Sequence, residues 1–257
     1  QVLVVGGGMS GICAAIASAR MGMDTILLHD RPVLGGNASS EIRMHICGAD
    51  IHGSRPNARE TGILEELLLE NKYYNPEQSY ALFDLALWGK VAHEPGLRLF
   101  LNTYMTDSET ENGRIRCIHG VQLTSERRFE IAADMFVDAT GDGSLGAWSG
   151  AEFMYGREAK EVFGEEIAPN YSDHCTMGSS LMFTSRDMGH PVAYRRPEWA
   201  YSFDENSLKN RDHHQISSGY WWIELGGNDK HVIQDAESIR DELVSSVAGI
   251  WDHIKNG

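Results

Sequence analysis

The amino-acid sequence predicts an α/β fold built on a parallel sheet, and three observations carry this prediction. A continuous apolar run, Val2–Val5, is typical of a strand that is buried on both faces. A glycine-rich loop follows at once, and the Ala-rich residues 12–21 have the apolar spacing of a helix. A second apolar run, Thr25–Leu28, completes one β-α-β unit within about 30 residues.

The rest of the chain predicts further elements around this unit. Helical periodicity marks residues 61–71 and 80–94, and a strand is predicted at 97–101. Two short β-like runs then indicate a small antiparallel meander with a turn at Glu111-Asn112-Gly113, and these runs cover residues 116–124 and 128–131. The apolar residues 135–137 re-enter the main sheet, and residues 239–254 form a late helix.

We therefore predict two domains. Residues 1–150 form a Rossmann-like dinucleotide-binding domain, in which residues 97–133 are the inserted strand and β-meander. Residues 151–257 form part of an α+β substrate-facing domain, where aromatic and histidine residues cluster.

Composition limits the classes of partner. The 257 residues are 42% hydrophobic and 23% charged, and the formal net charge of −15 argues against nucleic acid and anionic membranes as partners. No apolar run of about 18 residues predicts a transmembrane helix. Without a recognisable signal peptide a cytoplasmic location is favoured, although the chain opens directly on a strand and we expect its N-terminus to be trimmed. The sequence does not predict an oligomeric state.

The cysteines predict neither a metal site nor a redox centre. All four are widely spaced and no C-x-x-C occurs, so reduced thiols are expected at Cys13, Cys47, Cys117 and Cys175. The adjacent His213 and His214 are interpreted as a solvated loop, because neighbouring residues of a strand point apart and no carboxylate spacing supports a metal.

The glycine loop has the spacing of a dinucleotide-binding fingerprint. Gly6 permits the tight turn after the strand, Gly8 lets the backbone approach a pyrophosphate, and Gly11 allows close packing of helix on strand. The helix N-terminus then offers N–H donors and partial positive charge, which an acidic protein needs in order to hold an anionic ligand.

The ribose-binding position at the end of the second strand departs from the usual pattern. The spacing from the glycines places His29 where an acid is expected, and Asp30 follows it. Either Asp30 binds the adenosine ribose after a small shift, which we prefer, or His29 does so as a neutral acceptor. Asp30 could also be an ordinary turn residue before Arg31-Pro32.

Two later loops favour FAD over NAD. A Gly-Gly pair after the second strand, here in Gly35-Gly36-Asn37, is not needed for NAD binding and is common where FAD bends back under its own phosphates, although it could also be an ordinary glycine turn. Asp138-Ala139-Thr140-Gly141-Asp142-Gly143 follows a predicted strand, where the backbone at Ala139 and Gly141 can pass close to a cofactor in the crevice of an open sheet.

With these motifs in order, the chain resembles the FAD-dependent oxidoreductases of the second glutathione-reductase-like group, which includes the fumarate reductase and aspartate oxidase flavoproteins. More closely, it resembles a bacterial FAD-dependent oxidoreductase family of poorly defined substrate. The segments that carry the resemblance span nearly the whole chain, and they are residues 6–11, 30–43, 138–143 and 219–224.

The resemblance implies roles for particular residues around FAD. Met9 and Ser10 should contact the pyrophosphate, and Asp30 and Arg31 should lie at the adenosine end. The pyrophosphate and ribityl region should be contacted by Gly36, Asn37 and Ser39. Adenine should be contacted by Tyr104 or Met105, and the phosphates by Gly141 and Asp142. Such flavoproteins return to the FAD domain after the substrate segment, so we expect a carboxy-terminal part to be missing here.

The candidate catalytic residues follow the flavin-side loop. Arg43 could steady an anionic reduced flavin or a substrate oxygen, or it could pair internally with Glu41. His45 could act as acid or base, or as a covalent anchor, or it could be a hydrogen-bonded structural histidine. Cys47 is interpreted as an inert thiol, and Trp221, Trp222 and Glu224 line a substrate pocket or pack in the core.

These expectations together predict an FAD-dependent oxidoreductase that moves a hydride between a small organic molecule and flavin N5. Two other functions stay open from the sequence. One is an FAD-dependent RNA-modifying enzyme, which the acidic charge disfavours, and the other is a dinucleotide-binding module without catalysis.

Overall fold

A four-stranded parallel sheet forms the centre of the first part of the chain. The computed structural model describes residues 1–46, 58–210 and 220–257, with residues 220–222 described by their backbone only, in two units, Gln1–Phe153 and Met154–Gly257. The elements of the first unit are β1 Val2–Val5, α1 Met9–Arg20, β2 Thr25–Leu28, α2 Gly62–Tyr74, α3 Tyr80–Ala92, β3 Leu97–Phe100, β4 Thr103–Glu111, β5 Arg114–Gln122, β6 Arg127–Ala132, β7 Met135–Asp138 and α4 Ser144–Trp148.

The strand order in the parallel sheet is β3-β2-β1-β7. Strand β1 lies in the middle, with Val2 opposite Thr25 on one side and opposite Met135 on the other. A central strand has neighbours on both edges and packed layers on both faces, which is why all four residues of β1 are buried and apolar. The prediction of an α/β fold with a parallel sheet is confirmed.

Alternate side chains of β1 and β2 enter two different cores. Val2, Val4 and Leu27 face the helices and pack with Ile12 of α1 and Leu87 of α3. Leu3, Val5, Ile26 and Leu28 face the meander, where they meet the buried side chains of Met105, Ile118 and Ile131. Burial of each large side chain contributes roughly 1.5–3 kcal/mol, so the two layers fix the position of β1 and the loop that follows it.

The meander is an antiparallel sheet of order β4-β5-β6. Its first turn has Asn112 and Gly113 at positive φ, 52° and 73°, which are the conformations of a tight two-residue hairpin turn. Strand β4 was not delimited from the sequence, because its residues are largely polar and only two of them, Thr103 and Met105, are buried. Pairing with β5 makes this polar segment a strand.

The second unit contains a two-stranded antiparallel sheet and a long helix. Its elements are α5 Lys160–Phe163, β8 Ser179–Thr184, β9 Tyr220–Leu225 and α6 Ala236–Asn256. Ile239, Leu243 and Ile250 of α6 form a small core with Ile223 of β9 and with Leu208. The late helix expected from periodicity is therefore present, and it packs on this sheet through its apolar face. Across the three described ranges, no helix has the length and apolar character needed to cross a bilayer.

Candidate functional site

Three loops meet at the carboxyl edge of the parallel sheet in the first unit. They follow β1, β2 and β7, which are adjacent and parallel, so their ends lie side by side. The Gly35 N–H donates to the Gly7 carbonyl at 2.9 Å, and the Ala139 N–H donates to the Val5 carbonyl at 2.8 Å. The glycine motifs that the sequence places far apart are thus held together by backbone hydrogen bonds.

Gly6 and Gly11 are required by the packing of the protein itself. Gly6 has a φ of +107°, and a Cβ there would lie 2.0 Å from the carbonyl oxygen of Ala139. A Cβ on Gly11 would lie 1.8 Å from the carbonyl oxygen of Gly6. These two glycines therefore let β1, α1 and the loop after β7 approach one another closely.

Gly8 differs from both, because no contact within the protein requires a glycine at this position. Its φ of −68° suits any residue, and a Cβ there would meet no atom within 4 Å. Gly8 is the N-cap of α1, no side chain caps this helix, and the first N–H groups of a helix have no partners within it. A Cβ on Gly36 would come within 3.1 Å of the Gly8 Cα, so this glycine borders the same space.

This open cradle fits the pyrophosphate of a dinucleotide such as FAD. The first N–H groups of α1, which have no partners within the helix, and the positive end of the helix dipole face a space that two glycines keep free of side chains. Met9 and Ser10 form the first turn of α1 at this point, and Ser10 is exposed. Gly141, with a φ of +92° and open space around its Cα, lies on the loop after β7 together with the exposed Asp142.

His29 lies beneath the glycine loop and supports it. Its side chain is 7% exposed, and Nδ1 accepts a hydrogen bond of 2.9 Å from the Gly7 N–H, which assigns the proton of the neutral ring to Nε2. Burial lowers the pKa of His29 below its usual value, against the opposing effect of the Asp30 carboxylate. Since Nδ1 is engaged, His29 cannot offer it as an acceptor to a ribose hydroxyl, whereas the half-exposed Asp30 lies at the same edge.

Arg31 and Arg43 have different surroundings. The Arg31 guanidinium forms two hydrogen bonds with the Glu41 carboxylate, at 2.9 and 2.8 Å, so Glu41 is paired with Arg31 and not with Arg43. Arg43 has a φ of +65°. Its backbone N–H donates to the Ser39 carbonyl, and its backbone carbonyl accepts from the Tyr80 hydroxyl. These contacts hold Arg43 on the loop that follows the Gly35-Gly36 turn.

The same loop carries His45, and it is anchored at several backbone positions. The Met44 N–H donates to the carbonyl of the exposed Asn37, and the Ser39 hydroxyl is buried and accepts from the Glu41 N–H. His45 is exposed, and residues 47–57 beyond it, including Cys47, lie outside the described residues. Arg43 and His45 are therefore close in sequence and lie on the segment that directly follows the Gly35–Ser40 loop.

Two aspartates that position the site were not assigned this role from the sequence. Asp84 of α3 accepts the Ser40 N–H at 2.9 Å and so fixes the Gly35–Ser40 loop to a helix. Asp138 accepts from the Thr140 N–H and hydroxyl and from the Gly146 N–H. Burial raises the pKa of Asp138, but these hydrogen bonds outweigh it and the pKa lies below its usual value. No local sequence signal marks Asp84, because its partner is 44 residues away.

The two candidates for adenine contact are placed differently. Met105 is buried in the core between sheet and meander, whereas Tyr104 is 46% exposed and meets the Trp148 ring edge-on with 6.2 Å between ring centroids. Of this pair only Tyr104 has a side chain that a ligand in solution could reach.

In the second unit, Glu224 of β9 accepts a hydrogen bond of 2.9 Å from the Gly178 N–H. The side chains of Trp221 and Trp222 lie outside the described parts of the chain, as do His213 and His214. The pocket expected at the Trp-Trp stretch therefore stays a prediction.

Comparison with known proteins gives a family match over almost the full length. The model of the family described as FAD dependent oxidoreductase matches residues 1–255. Among curated proteins, the digeranylgeranylglycerophospholipid reductase of Methanosarcina acetivorans is 28% identical over 170 residues, which are 59% of this chain and 40% of that protein. The digeranylgeranylglycerophospholipid reductase 2 of Methanococcoides burtonii gives the same identity and coverage. This chain thus spans about 40% of the length of these relatives.

Solved structures with a partial likeness include two from other organisms. A geranylgeranyl bacteriochlorophyll reductase-like protein from Thermoplasma acidophilum is 19% identical, with a TM-score of 0.44 over 66% of this chain and 48% of that chain. THI4 from Thermovibrio ammonificans is 20% identical, with a TM-score of 0.41 over 67% of this chain and 75% of that chain.

Proposed function

The chain belongs to the FAD-dependent oxidoreductase family, and on this premise we propose that it transfers a hydride between a small organic substrate and N5 of bound FAD. The observation that carries the proposal is the open cradle at Gly8. The packing of the protein demands glycine at Gly6 and Gly11, whereas the glycine at Gly8 serves only a ligand that approaches the backbone there. When bound, FAD supplies a two-electron acceptor and donor, and the protein supplies its orientation and the surrounding charges.

We propose that the pyrophosphate lies against the N-terminus of α1, where Met9 and Ser10 offer backbone N–H groups. Gly36 borders this space from the loop after β2. We assign Asn37 of the same loop, and Gly141 and Asp142 of the loop after β7, to the same ligand. Because the acceptor nitrogen of His29 is used by Gly7, we assign the adenosine ribose to Asp30. Tyr104 then contacts adenine.

For the reaction itself we propose Arg43 and His45. Arg43 places a positive charge beside a substrate oxygen or the reduced cofactor, where it favours developing negative charge. His45 exchanges a proton with the substrate, because an imidazole can hold or release one near neutral pH. The support is positional, since both residues are exposed and their segment is anchored at Arg43 and Met44 by hydrogen bonds to Ser39, Asn37 and Tyr80.

For the substrate we propose only a small organic molecule. Both curated relatives are named as reductases of digeranylgeranylglycerophospholipids, which supports reduction as the first direction to test and prenylated lipids as members of a substrate panel. We also propose that the unit Met154–Gly257 faces the substrate. Within the FAD-dependent oxidoreductases, we propose that the chain belongs to the second glutathione-reductase-like group. RNA modification and binding without catalysis have no support from the family match or the relatives.

The proposal is tested with the purified full chain reconstituted with FAD. The protein should be yellow. Under anaerobic conditions its oxidised flavin should be bleached by a member of a panel of hydroxy acids and sugars, which donate a hydride, or its reduced flavin should be reoxidised by an unsaturated prenylated lipid, which accepts one. Arg43→Ala and His45→Ala should slow this step at least tenfold with flavin content unchanged. His93→Ala, a substitution of an exposed histidine at the end of α3, should leave it unchanged.

Two results contradict the proposal at different points. A protein that FAD cannot reconstitute refutes the cofactor site. A yellow protein whose Arg43→Ala and His45→Ala variants turn over like the wild type refutes the catalytic assignments and leaves the cofactor site intact.

A further inference from the structure

A cluster of three different metal-ligating side chains lies on the meander of the first unit. Cys117 and His119 are two residues apart on β5, and side chains at this spacing project from the same face of a strand. Glu109 on β4 is the direct cross-strand partner of Cys117. One donor atom of each of the three residues lies within 4.8 Å of the other two.

The cluster has a closed side and an open side. Cys117 is only 4% exposed, whereas the Glu109 side chain is 60% exposed and the His119 side chain 35%. Ile118, between the two ligating residues, is fully buried in the core on the opposite face. The thiol thus forms the floor of the cluster, and the carboxylate and the imidazole form a rim that an ion in solution can reach.

The distances suit a transition-metal ion. The His119 Nε2 and the Glu109 Oε1 are already 2.9 Å apart. Bonds of about 2.0–2.3 Å to zinc in a tetrahedral arrangement place pairs of ligand atoms roughly 3.3–3.7 Å apart. The cluster therefore reaches this geometry through small side-chain rotations, which the exposed Glu109 can make without moving the backbone.

The donor set and the surrounding charge select the kind of ion. Thiolate, imidazole and carboxylate together suit Zn²⁺ or a neighbouring divalent transition metal, whereas calcium and magnesium prefer oxygen ligands alone. Glu130 on β6 is the cross-strand partner of His119 and adds negative charge. The nearest cation along the strand, Arg116, forms an ion pair with Glu111.

We propose that Glu109, Cys117 and His119 bind a Zn²⁺ ion, or a related divalent transition metal, with one coordination position open to solvent. The site ties β4 to β5 next to the register shift between Glu109 and Thr110, so the bound ion stabilises the meander. The competing interpretation is a polar triad, in which His119 and Glu109 are hydrogen-bonded and no ion is bound.

The test uses the FAD-loaded protein. Zn²⁺ binding is measured by calorimetry, and Co²⁺ binding is followed by the difference between the absorption spectra of the protein with and without the metal. We expect one site whose spectrum contains a thiolate-to-cobalt charge-transfer band. Cys117→Ser should abolish this band, and Glu109→Gln and His119→Gln should each weaken Zn²⁺ binding at least tenfold. Cys175→Ser and His93→Ala should change the affinity less than twofold, because both lie outside the cluster.

The outcome that overturns the proposal is a Co²⁺ spectrum without a thiolate band, or Zn²⁺ affinity that is equal in the wild type and all three cluster variants. The triad is then only hydrogen-bonded. Flavin content and far-ultraviolet circular dichroism verify folding, and if Cys117→Ser does not fold, the two rim variants decide the question alone. The metal readouts do not depend on turnover, so failure here leaves the proposed oxidoreductase function unaffected.

Discussion

Replacing Gly8 with alanine separates the needs of the protein from the needs of its ligand. In the structure a Cβ at this position meets nothing within 4 Å, and the φ of −68° is ordinary for alanine. We therefore expect the free energy of unfolding of the FAD-free protein to change by less than about 1 kcal/mol, since loss of a glycine N-cap and reduced chain entropy act in opposite directions.

The same substitution should weaken FAD binding strongly. The new methyl group occupies the space in front of α1 and keeps a pyrophosphate from at least one backbone N–H. A hydrogen bond to a charged group contributes about 1.5–3 kcal/mol, which corresponds to an affinity loss of roughly tenfold to more than a hundredfold. The measurement is a titration of the FAD-free protein that follows quenching of flavin fluorescence, together with urea unfolding of the same preparation.

Gly11→Ala is the matched control with the opposite expectation. Its Cβ would lie 1.8 Å from the Gly6 carbonyl oxygen, far inside the ~3.5 Å of ordinary contact, so α1 must move away from β1. We expect the FAD-free protein to lose at least about 2 kcal/mol of stability despite the better helix propensity of alanine. If Gly8→Ala binds FAD as tightly as the wild type, the cradle is not the pyrophosphate site and the assignment is wrong.

Three other substitutions test the surroundings of the site. Because burial lowers the pKa of His29, the unfolded chain takes up a proton more readily than the folded protein, and the free energy of unfolding should fall as the pH drops below about 6.5. His29→Gln can still accept the hydrogen bond from the Gly7 N–H, and it should reduce this pH dependence in thermal melts between pH 5 and 8. Arg20→Ala should cost about 1 kcal/mol, because Arg20, whose pairing lowers the pKa of Glu66 to about 2, is itself more than one-third exposed although it also pairs with the less exposed Glu94. The loss should shrink in high salt. Asp138→Asn should cost about 0.5–1.5 kcal/mol in urea unfolding, because an amide cannot accept from all the donors that face the exposed carboxylate, and an unchanged midpoint would contradict that role.

Particular elements show how far the sequence was sufficient. The helix predicted at 80–94 is α3, Tyr80–Ala92, and the turn predicted at Glu111-Asn112-Gly113 is the hairpin turn between β4 and β5. These predictions succeed because apolar periodicity and glycine conformations are local properties. The sequence does not predict strand β4, because its polar residues form a strand only through pairing with β5.

By itself the sequence determined the parallel sheet and the positions of the glycine motifs, since a buried apolar strand and a glycine at positive φ are written into a few consecutive residues. Tertiary structure alone decided that His29 supports the loop instead of offering its acceptor nitrogen to a ribose, and that among the glycines of residues 6–11 it is Gly8 that has open space before it. It also brought Glu109, Cys117 and His119 together, where the lack of a C-x-x-C had predicted no metal. These features depend on which atoms become neighbours after β1, β2, β7 and the meander have packed, and that information is not present in any short segment of the chain.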